Sequence, residues 1–298
     1  MSPRPNERQR GAAVVAALLV VALVSATMAT LLTDLDAWID DVDSARDKAQ
    51  ATEQARNAVA YARALLAADG ASNAIDTLDE DWARELPPLR HEGARIGGRI
   101  VDLQGRFNLN NLRREDGRLD PQAFAAYRRL LAILGLPDKL ANALAERLTG
   151  TREGASDDAP AGGRPLLAFG ELQGLAGYDA GVLARLAGEV CVLAGSQPVN
   201  VNTAPAAVLS ALQPGLSPAA AASLASGRRG LPFRDSGDFR NRLGDPGLPG
   251  SLLPIAAASR HFLIEIEVDR DRARSRVASL VRRNPNGKLP EIVWQTLL

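Results

Sequence analysis

Residues 10 to 32 read Arg10-Gly-Ala-Ala-Val-Val-Ala-Ala-Leu-Leu-Val-Val-Ala-Leu-Val-Ser-Ala-Thr-Met-Ala-Thr-Leu-Leu32, and the fold follows from this stretch. No charged side chain stands between Arg10 and Asp34, and Ala12 to Leu32 is 21 residues long. About 20 apolar residues rising 1.5 Å each span the hydrocarbon of a bilayer, so the segment is long enough to cross one. Arg4, Arg8 and Arg10 precede it, and Asp34, Asp36, Asp40, Asp41 and Asp43 come after it. The positive-inside rule then predicts an N-terminus in the cytoplasm and the remaining chain on the far side.

An ordinary secretory signal peptide, cut after Ala26 or Ala29, is the alternative, but its apolar core usually runs only about 7 to 15 residues. The chain beyond the span also favours an anchor. Gly11 and Gly70 bracket a stretch without Gly or Pro, so nothing interrupts a helix. Leu31, Leu35, Trp38, Val42, Ala45, Ala49 and Thr52 recur at steps of three and four, and Ala55, Val59, Ala62 and Leu66 extend the stripe. The spacing predicts one helix from residue 12 to residue 68, roughly 85 Å long. Its first half (12–32) would lie in lipid and its second (33–68) would turn one apolar face to a globular head.

The net charge of zero, 35 Lys plus Arg against 35 Asp plus Glu, is a sum over unlike segments. Residues 1–11 carry +2, residues 34–53 carry −5 and residues 269–288 carry +5. This balance excludes a polybasic sleeve for nucleic acid and an acidic disordered tail. The lone Cys191 excludes an internal disulfide and a thiolate zinc site, and His91 with His261 cannot supply a histidine-rich metal centre.

Beyond Gly70 the chain reads as irregular through Pro87-Pro88 and Gly97-Gly98, until Arg99 to Leu103 gives a short strand. The next strand signals come late, at Phe262 to Val268, Ser275 to Val281 and Ile292 to Trp294, with Asp269-Arg-Asp-Arg272 as a hairpin turn. One early strand and three late ones imply a discontinuous α/β domain, residues 69–105 and 258–298, split by an insert at 106–257. The insert is rich in Ala and Leu and carries a weak repeat, about 106–195 and 196–257. Asn108-Leu-Asn110-Asn111-Leu112 resembles Asn200-Val-Asn202-Thr203-Ala204, 92 residues on. Each phrase precedes an apolar helix, a Gly-Leu turn and a second helix, predicted at Phe124 to Leu134 and Lys139 to Leu148, then at Ala206 to Leu212 and Ala219 to Ser226. A short acidic-hydrophobic segment ends each copy, Phe169 to Leu172 and Ser236 to Phe239. Asn accepts and donates at once and tolerates turns, so each phrase is expected to cap its following helix. The fold class is α+β.

These features together resemble one family. A basic leader ending in Gly11, with an apolar helix directly after it, looks like a type IV prepilin signal, which a prepilin peptidase cuts after the glycine. The resemblance implies a mature chain starting at Ala12 with a methylated amine. Most pilins carry Phe or Met first and Glu fifth in the mature chain, where this sequence has Ala12 and Ala16. A charge near the membrane core costs about 2.5–3.5 kcal/mol, so that Glu is kept for a reason, thought to be pairing with a neighbouring subunit's amine. The minor pseudopilin family K (GspK) of type II secretion lacks it. Its recurrent phrases resemble Asp102 to Leu112, Val199 to Ala204 and Ser259-Arg-His-Phe262. The resemblance implies a type IV pilin-like fold with a helical, SAM-like insert, anchored in the inner membrane with its bulk in the periplasm. It implies the minor pseudopilins GspI and GspJ as partners and a place at the pseudopilus tip, where the subunit starts or caps assembly in the export of folded proteins. It also raises calcium. Asp157, Asp158, Asp235, Asp238 and Asp245 are the acids that could contribute, but no spacing resembles a loop wrapping an ion, so the question of a metal stays open. One departure is clear: residues 146–160 stand where family members have a Trp-Ile-Asp-X-Asp phrase, and this segment is shortened and has no Trp.

A membrane-anchored DNA receptor of the competence type is the second reading, because helix-hairpin-helix units elsewhere offer backbone amides to phosphate and Arg228-Arg229 lies nearby. Ser217-Pro218 stands where such units place a second Gly, and proline supplies no N–H. The arginines 270, 272, 274, 276, 282 and 283 alternate on expected strands, a pattern of a solvated face or of a surface for an acidic partner. No catalytic motif occurs. His91 lies in a Pro-rich connector, His261 is expected at a strand edge, and Cys191 sits in an apolar run that buries an inert thiol.

Overall fold

The computed structural model describes residues 7–150, 162–244, 248–270, 273–284 and 287–298. Helix α1 (Glu7–Ser72) runs 66 residues without a break. At 1.5 Å per residue it is about 100 Å long. It starts inside the stretch expected as leader and ends four residues past the expected stop at 68. In its apolar first half the described side chains Val14, Leu18, Leu19, Val21 and Leu23 are all exposed.

Strands β1 (Leu86–His91) and β2 (Ala94–Asp102) form a hairpin, and β3 (Phe107–Asn108) then opens the insert. Its elements are α2 (Pro121–Ile133), α3 (Lys139–Thr149), α4 (Ala180–Leu186), β4 (Val190–Cys191), β5 (Val199–Asn200), α5 (Ala206–Leu212), α6 (Pro218–Gly227), α7 (Ser236–Arg242) and β6 (Ile255–Ala256). Strands β7 (His261–Arg270), β8 (Ala273–Arg282) and β9 (Glu291–Leu297) return to the sheet. The sheet is antiparallel with order β1-β2-β7-β8-β9. It therefore has two early strands, not one. The stretch with Pro87-Pro88, expected to be irregular, pairs as β1 because it lies at the sheet edge, with an irregularity between Leu86 and Leu89. Proline at an edge forfeits no ladder bond.

Period-two alternation explains why the sheet has two different faces. Ile100, Phe262, Ile264, Ile266, Val268, Val277 and Val281 meet α1 through Ala51, Ala55, Val59, Ala62 and Leu66. Small residues on α1 let the helix lie close, and Gly98 does the same within the sheet, where a Cβ would stand 2.5 Å from Ile266. The stripe on α1 is thus buried only from Ala55 onward. Leu35, Trp38 and Val42, expected to face the head, are exposed because no strand reaches down to them. The opposite sheet face carries Val101, Leu263 and Leu280, which pack on Leu103, Cys191 and Leu193 at the root of the insert.

The insert has its own core, including Phe107, Tyr127, Leu130, Leu144, Val201 and Phe233. Two parallel ribbons close its halves, β3 with β4 and β5 with β6. Both linkers leave from one place, since Asp102 ending β2 pairs with Phe262 near the start of β7. That place is the end of the sheet far from the apolar half of α1. Arg270 meets Asp47 at one end, whereas Arg283 meets Asp69 at the other.

Candidate functional site

The two Asn phrases are the root of the insert, and their side chains do equivalent work. In the first half, Asn110 accepts from Leu166 N (2.9 Å) and donates to Leu166 O (2.9 Å) and Leu193 O (2.8 Å). In the second, Asn202 accepts from Phe233 N (2.8 Å) and donates to Phe233 O (2.9 Å) and Ala257 O (3.4 Å). A carboxamide bonded in this way replaces a strand partner for the buried backbone it meets. Asn108 Oδ1 accepts from Leu193 N and Asn110 N, and Asn111 holds Gln197 through both its backbone groups. All of these asparagines are buried. The expectation that they cap the following helix is corrected: Asn108 caps only the 3-10 turn Leu109–Leu112, while Asp120 caps α2 and no side chain caps α5. The Asn-X-Asn spacing reflects tertiary stapling.

Asn200 leads to the centre of the site. Its Nδ2 reaches Asp102 Oδ2 (3.0 Å), Ser259 Oγ (3.0 Å) and Asp76 O (3.1 Å). Thr203 and Ser259 hydroxyls donate to the same Asp102 oxygen at 2.6 Å each, and Gln104 N donates to the other at 2.8 Å. Gly105 permits this approach, since a Cβ there would stand 2.5 Å from Thr203 Oγ1. Burial pushes the Asp102 carboxyl up, against the pull of its donors. Asp76 accepts from Ser259 N (2.7 Å) and from Arg283 (2.5 Å), and Arg283 also binds Asp69 (2.8 Å) with its guanidinium over the Phe262 ring. Burial raises the Asp76 carboxyl as well, and Arg283 opposes it. Asp102, Asp76, Ser259 and Arg283 were legible as letters, but no local spacing joins four residues spread over more than 200 positions.

Asp69, Asp76 and Glu80 bring carboxylate oxygens within 4.8 Å of one another. Arg283 already supplies the countercharge to two of them, and Glu80 accepts from Trp82 Nε1 and Thr77 N. Of the acids considered for calcium, Asp157, Asp158 and Asp245 lie outside the described residues. Asp235 caps α7 and Asp238 is paired with Arg242 at 2.6 Å, so these two do not fit a calcium loop.

The remaining expectations separate clearly. His261 is buried on the central strand β7, not at an edge, with Nδ1 3.2 Å from Gln104 Oε1; burial and the charges of Arg260 and Arg282 lower it to about 4. Cys191 is buried and its thiol is pushed up, away from reactivity. The late arginines are engaged within the fold: Arg270 with Asp47, Arg274 with Glu267 and Asp269, Arg276 with Glu267, and Arg282 with Glu291. Arg272 and the end of the expected hairpin turn lie outside the described residues. Arg228 is buried and donates to Val201 O (2.7 Å), which takes it away from any phosphate, and burial lowers it to about 10. At the N-terminus, Gly11, Ala12 and Ala16 lie within the first turns of α1, with Ala12 and Ala16 exposed.

A long helix, apolar in its first half and packed by its second half on an antiparallel sheet, defines the pilin-like class of subunit, here with a large helical insert. Family models described as type II secretion system, protein K, match residues 105–195 and 199–258. The type II secretion system protein K of Pseudomonas aeruginosa is 30% identical, over 94% of this chain and 91% of that one. Its counterpart from Klebsiella pneumoniae is 32% identical over 70% of this chain and 72% of that one. The chain belongs to the type II secretion system protein K family, and is a pseudopilin of that machinery. The fold matches a chain in the crystal structure of the GspK-GspI-GspJ complex from enterotoxigenic Escherichia coli, with a TM-score of 0.65 and 20% identity over 86% of this chain and 99% of that one.

Proposed function

We propose that the chain is the minor pseudopilin at the tip of the pseudopilus, where it starts or caps assembly and is itself no enzyme. The observation that carries this reading is the placement of the insert. It is rooted at the end of the sheet most distant from the apolar half of α1, so a subunit added above would collide with it. Residues 12–32 anchor the chain once in the inner membrane, with the N-terminus in the cytoplasm and the head, 69–105 and 258–298 around the insert 106–257, in the periplasm. Prepilin peptidase cuts after Gly11 and the Ala12 amine is methylated. With Ala16 in place of the usual Glu, the subunit does not make the pairing that elongates a stack. Its partners are the I and J subunits, in line with the complex that contains its structural neighbour. Small residues along the anchor, Ala13, Ala17 and Ala22 among them, let partner helices approach closely.

Intact mass and N-terminal sequencing of the mature chain test the processing: a start at Ala12 supports it, and a start at Thr27 or Thr30, or an uncut chain, refutes it. Co-expression with the I and J subunits should give a stable heteromeric complex. The competence-type reading predicts tight binding to duplex DNA with a steep salt slope, and the burial of Arg228 argues against it.

A further inference from the structure

The two halves of the insert align at fixed spacings, and one place in them does not match. Through the helix pairs the spacing is 80 residues: Gly135 matches Gly215, Leu136 matches Leu216, Ala141 matches Ala221 and Leu144 matches Leu224. Through the segment that follows it is 67: Leu166 matches Phe233, Leu172 matches Phe239 and Gly177 matches Gly244. The structure keeps these pairs equivalent. Gly135 and Gly215 have φ of +61° and +83°, and Gly177 and Gly244 of +86° and +76°. Glu171 accepts from Leu167 N as Asp238 accepts from Arg234 N.

In the first half Tyr178 packs against the start of α3. It is buried, its hydroxyl donates to Leu140 O (2.9 Å) and lies 2.9 Å from that of Tyr127, and Leu140, Leu144 and Leu148 of α3 are fully buried. In the second half the same spacings put Asp245 in the place of Tyr178, Ala220 in that of Leu140 and Arg228 in that of Leu148. Ala220 is exposed and Leu224 only half-buried. Along α6 there is accordingly a groove of about 530 Å³, lined by Leu216, Ala220, Leu224, Leu231, Phe233 and Leu243, with Leu231 63% exposed. An apolar site of that volume has room for a small ligand or an anchoring side chain. Residues 228–242, which supply one wall, carry five Arg against two Asp, and Arg229, Arg234 and Arg240 among them are exposed.

We propose that this groove seats an aromatic side chain from an extended acidic segment of another protein, one that does not pack along α1. The ring takes the place over α6 that Tyr178 fills over α3, and carboxylates beside it meet Arg229, Arg234 and Arg240. An aromatic ring in an apolar pocket supplies the anchor of such a contact, and rim charges select the partner. The ring does not come from the undescribed parts of this chain, since residues 1–6, 151–161, 245–247, 271–272 and 285–286 contain no aromatic residue. A second copy of the chain offers Trp38 among Asp36, Asp40 and Asp41, but low on α1, below the sheet, whereas the insert is rooted at the sheet's other end. The same distance removes the groove from the lipid surface. Duplex DNA would need phosphate contacts, and an apolar floor supplies none.

The test uses the full-length chain in nanodiscs of neutral lipid, panned with a phage-displayed library of short random peptides, and the enriched peptides are synthesised for fluorescence anisotropy. Expected are peptides that share an aromatic residue with Asp or Glu close by, and that lose at least about tenfold in affinity when the ring is replaced by Ala. Ala220→Leu restores on α6 the residue that α3 carries and should weaken binding by a similar factor. Arg229→Glu with Arg240→Glu, two surface changes that leave the apolar floor intact, should weaken it about fivefold at low salt. Circular dichroism checks that each variant keeps its helix content. No enriched peptide, peptides without an aromatic or an acid, or affinities indifferent to both sets of changes overturn the proposal. So does a photo-reactive residue at Ser223 that crosslinks only to a second copy of the chain or to lipid, or a peptide that duplex DNA displaces. None of these outcomes bears on the assembly role, which the co-expression experiment tests separately.

Discussion

Asp102→Ala is the most direct way to ask whether the polar root holds the insert to the sheet. The wild-type carboxylate accepts four hydrogen bonds, three on Oδ2 and one on Oδ1. Bonds to a charged group contribute about 1.5–3 kcal/mol each, and a buried donor left without a partner costs about 1–3 kcal/mol. Removing the carboxylate also removes its desolvation cost, so the sum is not the full total of four bonds. Four neutral donors lose their acceptor at about 1–3 kcal/mol each, and the relieved desolvation offsets part of this, so the expected loss is about 3–5 kcal/mol. For a head of this size each kcal/mol moves the midpoint by about 2–4 °C, so Tm should fall by roughly 6–20 °C in a thermal melt monitored by circular dichroism. Thr203→Val removes one donor and leaves the carboxylate three, so it should cost about 1–2 kcal/mol. Limited proteolysis of Asp102→Ala should cut the linkers near residues 103–106 and 257–260 first. A variant within about 1 kcal/mol of wild type, with linkers as resistant as before, would refute the view that this node orients the insert.

Asn202→Ala and Asn110→Ala each remove three bonds to buried backbone, and equilibrium denaturation should show similar losses of about 2–4 kcal/mol, unequal effects counting against the duplicated staple. Arg283→Met takes the countercharge from Asp69 and Asp76, and the head should lose about 3–5 kcal/mol at neutral pH and recover part of it as the pH falls and Asp76, whose carboxyl burial already raises, protonates. His261, held neutral with a folded value of about 4 against an ordinary 6.5, contributes stability that is intact above pH 6.5 and lost as the pH falls towards 4. The loss is about 3 kcal/mol, and His261→Gln should flatten that limb of a stability–pH profile. Asp102 and Asp76 act in the opposite sense: their raised carboxyls favour the folded state at acid pH and lose that contribution as the pH rises through their folded values, so the slope that His261→Gln leaves should reverse sign.

Legible in the sequence was whatever is encoded locally or by period. The α1 helix needed only the absence of Gly and Pro from 12 to 69, and the late strands needed only β-branched runs. The helix pairs of the insert emerged from apolar spacing and Gly-Leu turns, and came out within a few residues of α2, α3, α5 and α6. β1 was missed because Pro87-Pro88 signals irregularity unless the segment is known to lie at an edge. The two Asn phrases stood out as repeats, but their role was misjudged because a capping bond is made within four residues, whereas Asn110 reaches Leu193 and Asn202 reaches Phe233. His261 carried no sign that its strand would be central, since position in a sheet is set by topology. The stripe on α1 was correctly periodic, but the sequence does not say how far down the helix the sheet extends.

The polar root answers a mechanical problem. The apolar contact between insert and sheet is small, with Leu103, Cys191, Leu193 and Leu280 at its centre, and burial of this kind is non-directional, so it would permit the insert to rotate over the sheet end. Hydrogen bonds restrict angle as well as distance. The bonds converging on Asp102 come from β5 and its following turn, from the linker before β7 and from the chain leaving β2, so no one segment can turn without breaking contacts to the others. Asp76 extends the restraint to the chain just after α1, and Arg283 ties it to Asp69 within α1 itself. The insert is thus fixed with respect to the long helix, not merely to the sheet. An insert placed to block the position above it is useful only if its angle to the anchor is fixed, and the bonds that run from Asn200 and Thr203 through Asp102, Ser259, Asp76 and Arg283 to Asp69 supply that restraint.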